Sequence, residues 1–234
     1  MERPVARTII SLSDIAMRRD NRTVFAGINL DIRKGDFLAI TGPNGGGKTT
    51  LLRILLRLLK PTCGKVEYFD SEGRKDVKLR IGYLPQKSAI DARFPISVRE
   101  VIESGLGGHM APHASSAQRR RMVDEMIERV ELATHAANPI GEISGGQLQR
   151  ALLGRALVAQ PEVAVLDEPL SYLDRHFEKR LYEELEAIAP RTTIILVSHE
   201  MTRIAEMANR HISINHGLRE CTSSRHGVHY DCRW

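Results

Sequence analysis

Gly42-Pro43-Asn44-Gly45-Gly46-Gly47-Lys48-Thr49 is the stretch on which the reading of this chain turns. It matches G-x-x-x-x-G-K-[S/T] at every defined position. The pattern is informative only between a strand and a helix, and both neighbours have that character. Before it, Phe37-Leu38-Ala39-Ile40 is apolar on both faces, as a buried central strand is. After it, a leucine-rich segment reads as a helix to about Leu59, where Pro61 and Gly64 stop it. Glycines let a backbone curl around phosphate and turn its N–H groups inward. The helix N-terminus adds partial positive charge at the same place. Lys48 is expected to reach the β- and γ-phosphates and the Thr49 hydroxyl to ligate Mg2+. With Thr50, these residues form the expected nucleotide-binding set.

Outward from the loop, an α/β pattern emerges. Ile28, Leu30 and Ile32 alternate with Asn29, Asp31 and Arg33, which predicts a strand with one buried face. Lys34-Gly35-Asp36 makes a turn into the next strand. From Pro95 to about Gln160 the patterns are helical, and Val123, Met126, Ile127 and Val130 form one core-facing stripe. Strand patterns return at Val163 to Leu166 and Thr193 to Val197, with a helix from about Arg175 to Ile188 between them. A sheet core is thus interrupted by a helical insert and then resumed. The tail after Gly217 is polar and carries no such pattern.

The strand Val163-Ala164-Val165-Leu166 ends in Asp167-Glu168. Carboxylates at the C-terminal end of a central strand lie at the mouth of the sheet, where α/β folds bind ligands. Asp167 is suited to hold Mg2+, through water, and Glu168 to act as general base on an attacking water. Neighbours on a strand point opposite ways, so the two acids are expected to do different work.

Composition narrows the class. The 234 residues suffice for one large domain, or one core with an insertion. An apolar fraction of 42% is that of a globular protein. No apolar run approaches the roughly 18 residues of a membrane span, and the start lacks the apolar core of a signal peptide. The three cysteines, Cys63, Cys221 and Cys232, are scattered and odd in number, which fits a reducing compartment better than a disulfide scaffold. The net charge of +5 comes from dispersed residues with few aromatics beside them, which reads as solvated surface and not as a nucleic-acid face.

Ile143-Ser144-Gly145-Gly146-Gln147-Leu148-Gln149-Arg150 resembles the signature motif of the ATP-binding-cassette family. Physically it is a second anion site, with Ser144 as a helix cap and glycines exposing N–H groups. The resemblance implies that Ser144, Gly145, Gly146 and Gln147 close over ATP held by a partner chain, so that ATP joins a homodimer. Gln86, in Tyr83-Leu84-Pro85-Gln86-Lys87, resembles the Q-loop glutamine that contacts Mg2+ or the attacking water. Ser171-Tyr172-Leu173-Asp174 resembles the D-loop, and His199 the switch histidine at the γ-phosphate. The resemblance covers about residues 8 to 218. It implies an α/β P-loop NTPase (RecA-like) core over about 1–87 and 160–220, a helical insert over about 88–159, and a polar tail over 221–234. Two positions depart from the family. Where it carries an aromatic residue under adenine, this chain has Met17-Arg18-Arg19, and Arg19 is the candidate to lie over the base. Tyr172 also stands where small residues are common.

The stretch Asp91-Ala92-Arg93-Phe94-Pro95-Ile96-Ser97-Val98 resembles the segment after the Q-loop in bacterial zinc and manganese importers. That implies the ATP-hydrolysing motor of a metal importer, cytoplasmic and peripheral on the inner face of the membrane. Its partners would be an integral permease and, indirectly, an extracytoplasmic substrate-binding protein. The alternative is a soluble non-transport ATPase, for example in iron–sulfur assembly. A nucleotide-binding regulator without turnover is disfavoured by intact Lys48, Asp167, Glu168 and His199. His109, His113, His216, Cys221, His226, His229 and Cys232 suggest metal feedback, but their spacings match no closed zinc site.

Overall fold

The computed structural model describes residues 7–20, 22–70, 72–86, 91, 93–108, 111–198 and 202–221, the side chains of residues 202 and 205 excepted. The chain forms two compact units, Met1–Leu79 with Thr193–Trp234, and Arg80–Thr192.

In the first unit, β1 (Thr8–Arg19), β2 (Arg22–Arg33) and β4 (Cys63–Tyr68) make an antiparallel sheet in the order β2-β1-β4. The alternation in β2 sets its face: Ile28, Leu30 and Ile32 are at most 5% exposed, and Leu30 and Ile32 pair with Leu12 and Ile10. A parallel group is built around β3 (Phe37–Thr41), with β7 (Thr193–Val197) on one side and β8 (Arg210–Ile214) on the other. A last strand, β9 (Leu218–Cys221), runs antiparallel to β8. All of β7 and the first four residues of β3 are buried, which is why both read as unbroken apolar runs.

Helix α1 (Lys48–Leu55) follows the glycine loop and buries Leu51, Leu52, Ile54 and Leu55 completely. Each such side chain contributes about 1.5–3 kcal/mol of transfer free energy. The helix stops short of the expected Leu59. Arg57 takes a left-handed φ of 58°. Its N–H donates to the Ile54 carbonyl at 2.9 Å, and the Leu58 N–H to that of Arg53 at 2.8 Å. This is a Schellman end with arginine where glycine is usual, so no residue type announced it.

The second unit pairs β5 (Ile81–Leu84) in parallel with β6 (Val163–Asp167). Its helices are α2 (Val98–Ser104), α3 (Ser116–Arg129), α4 (Gly145–Leu157) and α5 (Arg175–Ile188). The α3 stripe is buried as its spacing requires, with Val123, Met126, Ile127 and Val130 all at most 4% exposed. Three helices start on a serine with a full capping box: Ser97 with Glu100, Ser115 with Gln118, and Ser144 with Gln147. The sixth helix, α6 (Thr202–Met207), belongs to the first unit.

Cys63 is an exposed free thiol, but Cys221 is disulfide-bonded. The count and scatter of the cysteines, which spoke against a disulfide scaffold, did not foretell the bond at Cys221.

Candidate active site

The glycine loop is shaped by how closely the end of β8 approaches it. A Cβ on Gly42 would lie 2.0 Å from the Ile214 carbonyl oxygen, and Gly42 has φ 139°. Only glycine fits there. Pro43, Asn44 and Gly45 form the exposed tip, while Gly46, Gly47 and Lys48 are buried and Thr49 and Thr50 half-buried. The Lys48 ammonium donates to the Gly42 carbonyl at 2.8 Å and the Pro43 carbonyl at 3.0 Å. Gly47, the N-cap of α1, supplies no side-chain acceptor to the first-turn N–H groups. That leaves the helix start suited to an anion.

Thr41, the residue before the loop, has its hydroxyl 2.8 Å from His211 Nε2 on β8. His211 is 5% exposed, and burial pushes its pKa below the ordinary imidazole value. The folded state therefore favours the neutral ring. Its contribution is complete above the unfolded value near 6.5 and is lost as pH falls through the lower folded value. We expect the thermal midpoint to fall between about pH 7 and pH 5, and His211→Gln to make that fall shallower. Equal slopes for the two proteins would reject the assignment.

In the second unit, β6 ends on Asp167, which is 1% exposed. Glu168 has already left the strand, with a left-handed φ of 54°. The sequence suggested strand alternation across the two acids; instead, this backbone turn sets the course of Glu168. Glu168 Oε2 accepts from the Ser171 hydroxyl at 3.4 Å, and the Glu168 carbonyl accepts from the Ser171 N–H at 3.2 Å.

The start of α4 lies against the same turn. Ser144 Oγ accepts from the Gln147 N–H at 3.2 Å, and Gln147 Oε1 accepts from the Ser144 N–H at 2.7 Å. Gln147 Nε2 is 2.9 Å from His135 Nε2. Because the carboxamide oxygen is committed to Ser144, the nitrogen donates and the imidazole accepts. A Cβ on Gly146 would stand 2.9 Å from the Tyr172 carbonyl oxygen, so helix and loop backbone meet with no side chain between them. Tyr172 itself is 68% exposed, with φ 69°. Gln149 Nε2 donates to the carbonyls of Glu168 and Pro169 at 3.2 and 3.3 Å. Arg150 bonds Glu131 and Asp174 and stacks on Phe177 at 4.2 Å. Asp174 caps α5, and the Phe177 N–H, then Arg150, holds its carboxyl below the usual range. Burial works against the Glu131 carboxylate, but Arg180 and Arg150 outweigh it and keep its pKa low.

Against known proteins, residues 25–171 match the family model described as ABC transporter. The chain belongs to the ABC transporter family. The zinc uptake system ATP-binding protein ZurA of Listeria innocua is 34% identical over 228 residues, covering 95% of this chain and 88% of that protein. The zinc import ATP-binding protein ZnuC of Hydrogenovibrio crunogenus is 34% identical over 217 residues, covering 90% and 80%. Among solved structures, a dimeric post-hydrolysis state of an ATP-binding cassette bound to ADP and Pi superposes with TM-score 0.78 at 25% identity, covering 91% of this chain and 97% of that one. The fold is therefore the α/β cassette of an ABC ATPase, and the chain hydrolyses ATP.

The structure of this ABC ATPase brings Asp167, Glu168, Ser171, Asp174 and Ser144–Gln147 together in one unit, while the glycine loop lies in the other. Gln86 is half-buried just beyond β5. His199 lies outside the described residues, as do His109, His226, His229 and Cys232. Arg19 ends β1, exposed, 3.8 Å from Asp20. His113 and His216 are exposed, and no group of three metal-ligating side chains occurs among the described residues. Nor is any described helix long and apolar enough to cross a membrane. Sequence reading gave no role to His135, Glu131 or Gln149. The first two carry no local signal, and Gln149 lay inside the signature motif without an assigned partner. The oxygens of Thr49, Asp167 and Gln86 are all hard donors, the chemistry Mg2+ takes.

Proposed function

We propose that this ABC ATPase is the motor subunit of a transition-metal importer, carrying zinc or manganese. The observation that supports this most directly is the kinship with proteins named for zinc uptake and zinc import over most of the chain. A probable metal transport ATP-binding protein of Chlamydia trachomatis is similar too, at 35% identity over 192 residues. These relatives weigh against the iron–sulfur alternative. The resemblance of residues 91–98 to the segment after the Q-loop of zinc and manganese importers points the same way; there Arg93 pairs with both oxygens of Asp91, and Phe94 is 62% exposed.

In this reading Gly42–Thr50 cradle the phosphates and Lys48 neutralises them, while Arg19 lies over adenine. Mg2+, held by Thr49, Asp167 and Gln86, would offset charge on the phosphates. Glu168 takes a proton from the attacking water, and His199 contacts the γ-phosphate. Ser144, Gly145, Gly146 and Gln147 close on the nucleotide of a second copy, with Ser171 and Asp174 beside that junction. Nucleotide binding then favours the closed homodimer and hydrolysis releases it, a population shift that the helical insert, about 88–159, passes to the permease. The chain would sit on the inner face of the membrane, and an extracytoplasmic binding protein would deliver the metal.

The test is capture. Tagged Glu168→Gln protein, held with Mg-ATP, is drawn from detergent-solubilised membranes of its own organism and its partners are identified by mass spectrometry. A multi-pass permease is expected. Ribosomes or a soluble iron–sulfur assembly complex, without a permease, would overturn the transport reading.

A further inference from the structure

We infer that Gln149 is a positioning residue for Glu168, through which the signature helix holds the catalytic base in place. The inference rests on the ATPase reading above, with Glu168 as base and Ser144–Gln147 as the surface that meets the partner's nucleotide. Gln149 stands on α4, two residues beyond Gln147, and is 1% exposed. Its Nε2 reaches the carbonyls of both Glu168 and Pro169. The Glu168 carbonyl also accepts the Ser171 N–H at 3.2 Å. Both lone pairs of that carbonyl are thus engaged, which fixes the peptide plane at the base.

The position needs fixing. Glu168 has φ 54°, a left-handed conformation that disfavours any residue with a side chain. Surrounding contacts must hold such a residue in place. Gln149 does so from the same helix whose first turn carries the signature residues. Two neighbours reinforce the junction: Gly146 lies against the Tyr172 carbonyl, and Arg150 bonds Asp174. A displacement of the signature helix therefore reaches the backbone of Glu168 directly. Nucleotide gripped for the partner chain and the base acting on the chain's own nucleotide are joined by one carboxamide.

The other end of that carboxamide limits the residue's net contribution to stability. Gln149 Oε1 is buried and has no hydrogen-bond partner among the described residues. That unpaired oxygen offsets part of what the Nε2 bonds contribute, so an apolar side chain of equal length changes net stability little. What the residue supplies to the site is its N–H group.

The experiment compares wild type, Gln149→Met and Gln149→Leu as full-length chains, with steady-state kinetics and thermal unfolding. ATP-dependent dimerisation is measured with each Gln149 substitution placed in the Glu168→Gln background. We expect kcat to fall about tenfold to a hundredfold with KM for ATP within about twofold. The thermal midpoint should change little, and dimerisation should persist. Unchanged kcat would overturn the inference. A joint fall of kcat, nucleotide affinity and thermal midpoint would also overturn it, because that is the signature of a purely structural residue. Absence of ATP hydrolysis by wild type would instead overturn the ATPase reading itself.

Discussion

Glu168→Gln is expected to lower steady-state ATP hydrolysis by about 10²–10⁴-fold while leaving nucleotide binding intact. The carboxamide is isosteric and can still accept the Ser171 hydroxyl that Glu168 Oε2 accepts at 3.4 Å. The Gln149 bonds go to backbone carbonyls and do not involve the side chain that changes. The left-handed turn and its clamps are therefore retained, and only the capacity to take a proton is lost. The variant should accumulate as an ATP-bound dimer, because the step that releases the two copies is the one removed. Phosphate release measured beside nucleotide binding separates the two effects. Rapid turnover by the variant would exclude Glu168 as the base.

Lys48→Ala acts one step earlier. Lys48 is 6% exposed, and its ammonium bridges two carbonyls of its own loop. Removing it takes away the compact charge that, as proposed, neutralises the phosphates, and the bonds that tie the loop to α1. Charge-assisted hydrogen bonds of this kind are about twice as strong as neutral ones. We expect affinity for ATP to fall by about a hundredfold or more, equivalent to about 2.8 kcal/mol, with hydrolysis lost at ordinary nucleotide concentrations. Titration calorimetry with ATP measures it directly. Affinity within a few-fold of wild type would remove Lys48 from the phosphate site.

The central strands were legible because burial on both faces leaves a continuous apolar run, as in β3, β6 and β7. Helix α5 was legible through its period and ran from Arg175 to Ile188, as read from the sequence. Strand β1 escaped because its pairing with β2 shifts register repeatedly, between Leu12 and Ile15 and again at Met17, which breaks the alternation. Strand β4 escaped because only its last residue, Tyr68, is buried. At the site, the glycine loop and the Ser144–Gln147 cap are contiguous pieces whose residue types encode their own geometry. The bond from Gln149 to Glu168 spans 19 positions. No local pattern carries it, since it arises only when α4 packs beside the end of β6.

The Ser144–Gln147 corner bears on the speed of assembly as well as on its strength. Gln147 is held at both ends of its carboxamide, by Ser144 and by His135. Its rotamer is thus chosen before any second copy arrives. A long polar side chain ordinarily surrenders about 0.5–1.5 kcal/mol of rotational freedom when it is immobilised on docking. Here that freedom is already given up during folding. If a second copy docks here, as proposed, that docking would wait on diffusion and orientation, with the Gln147 side chain already placed.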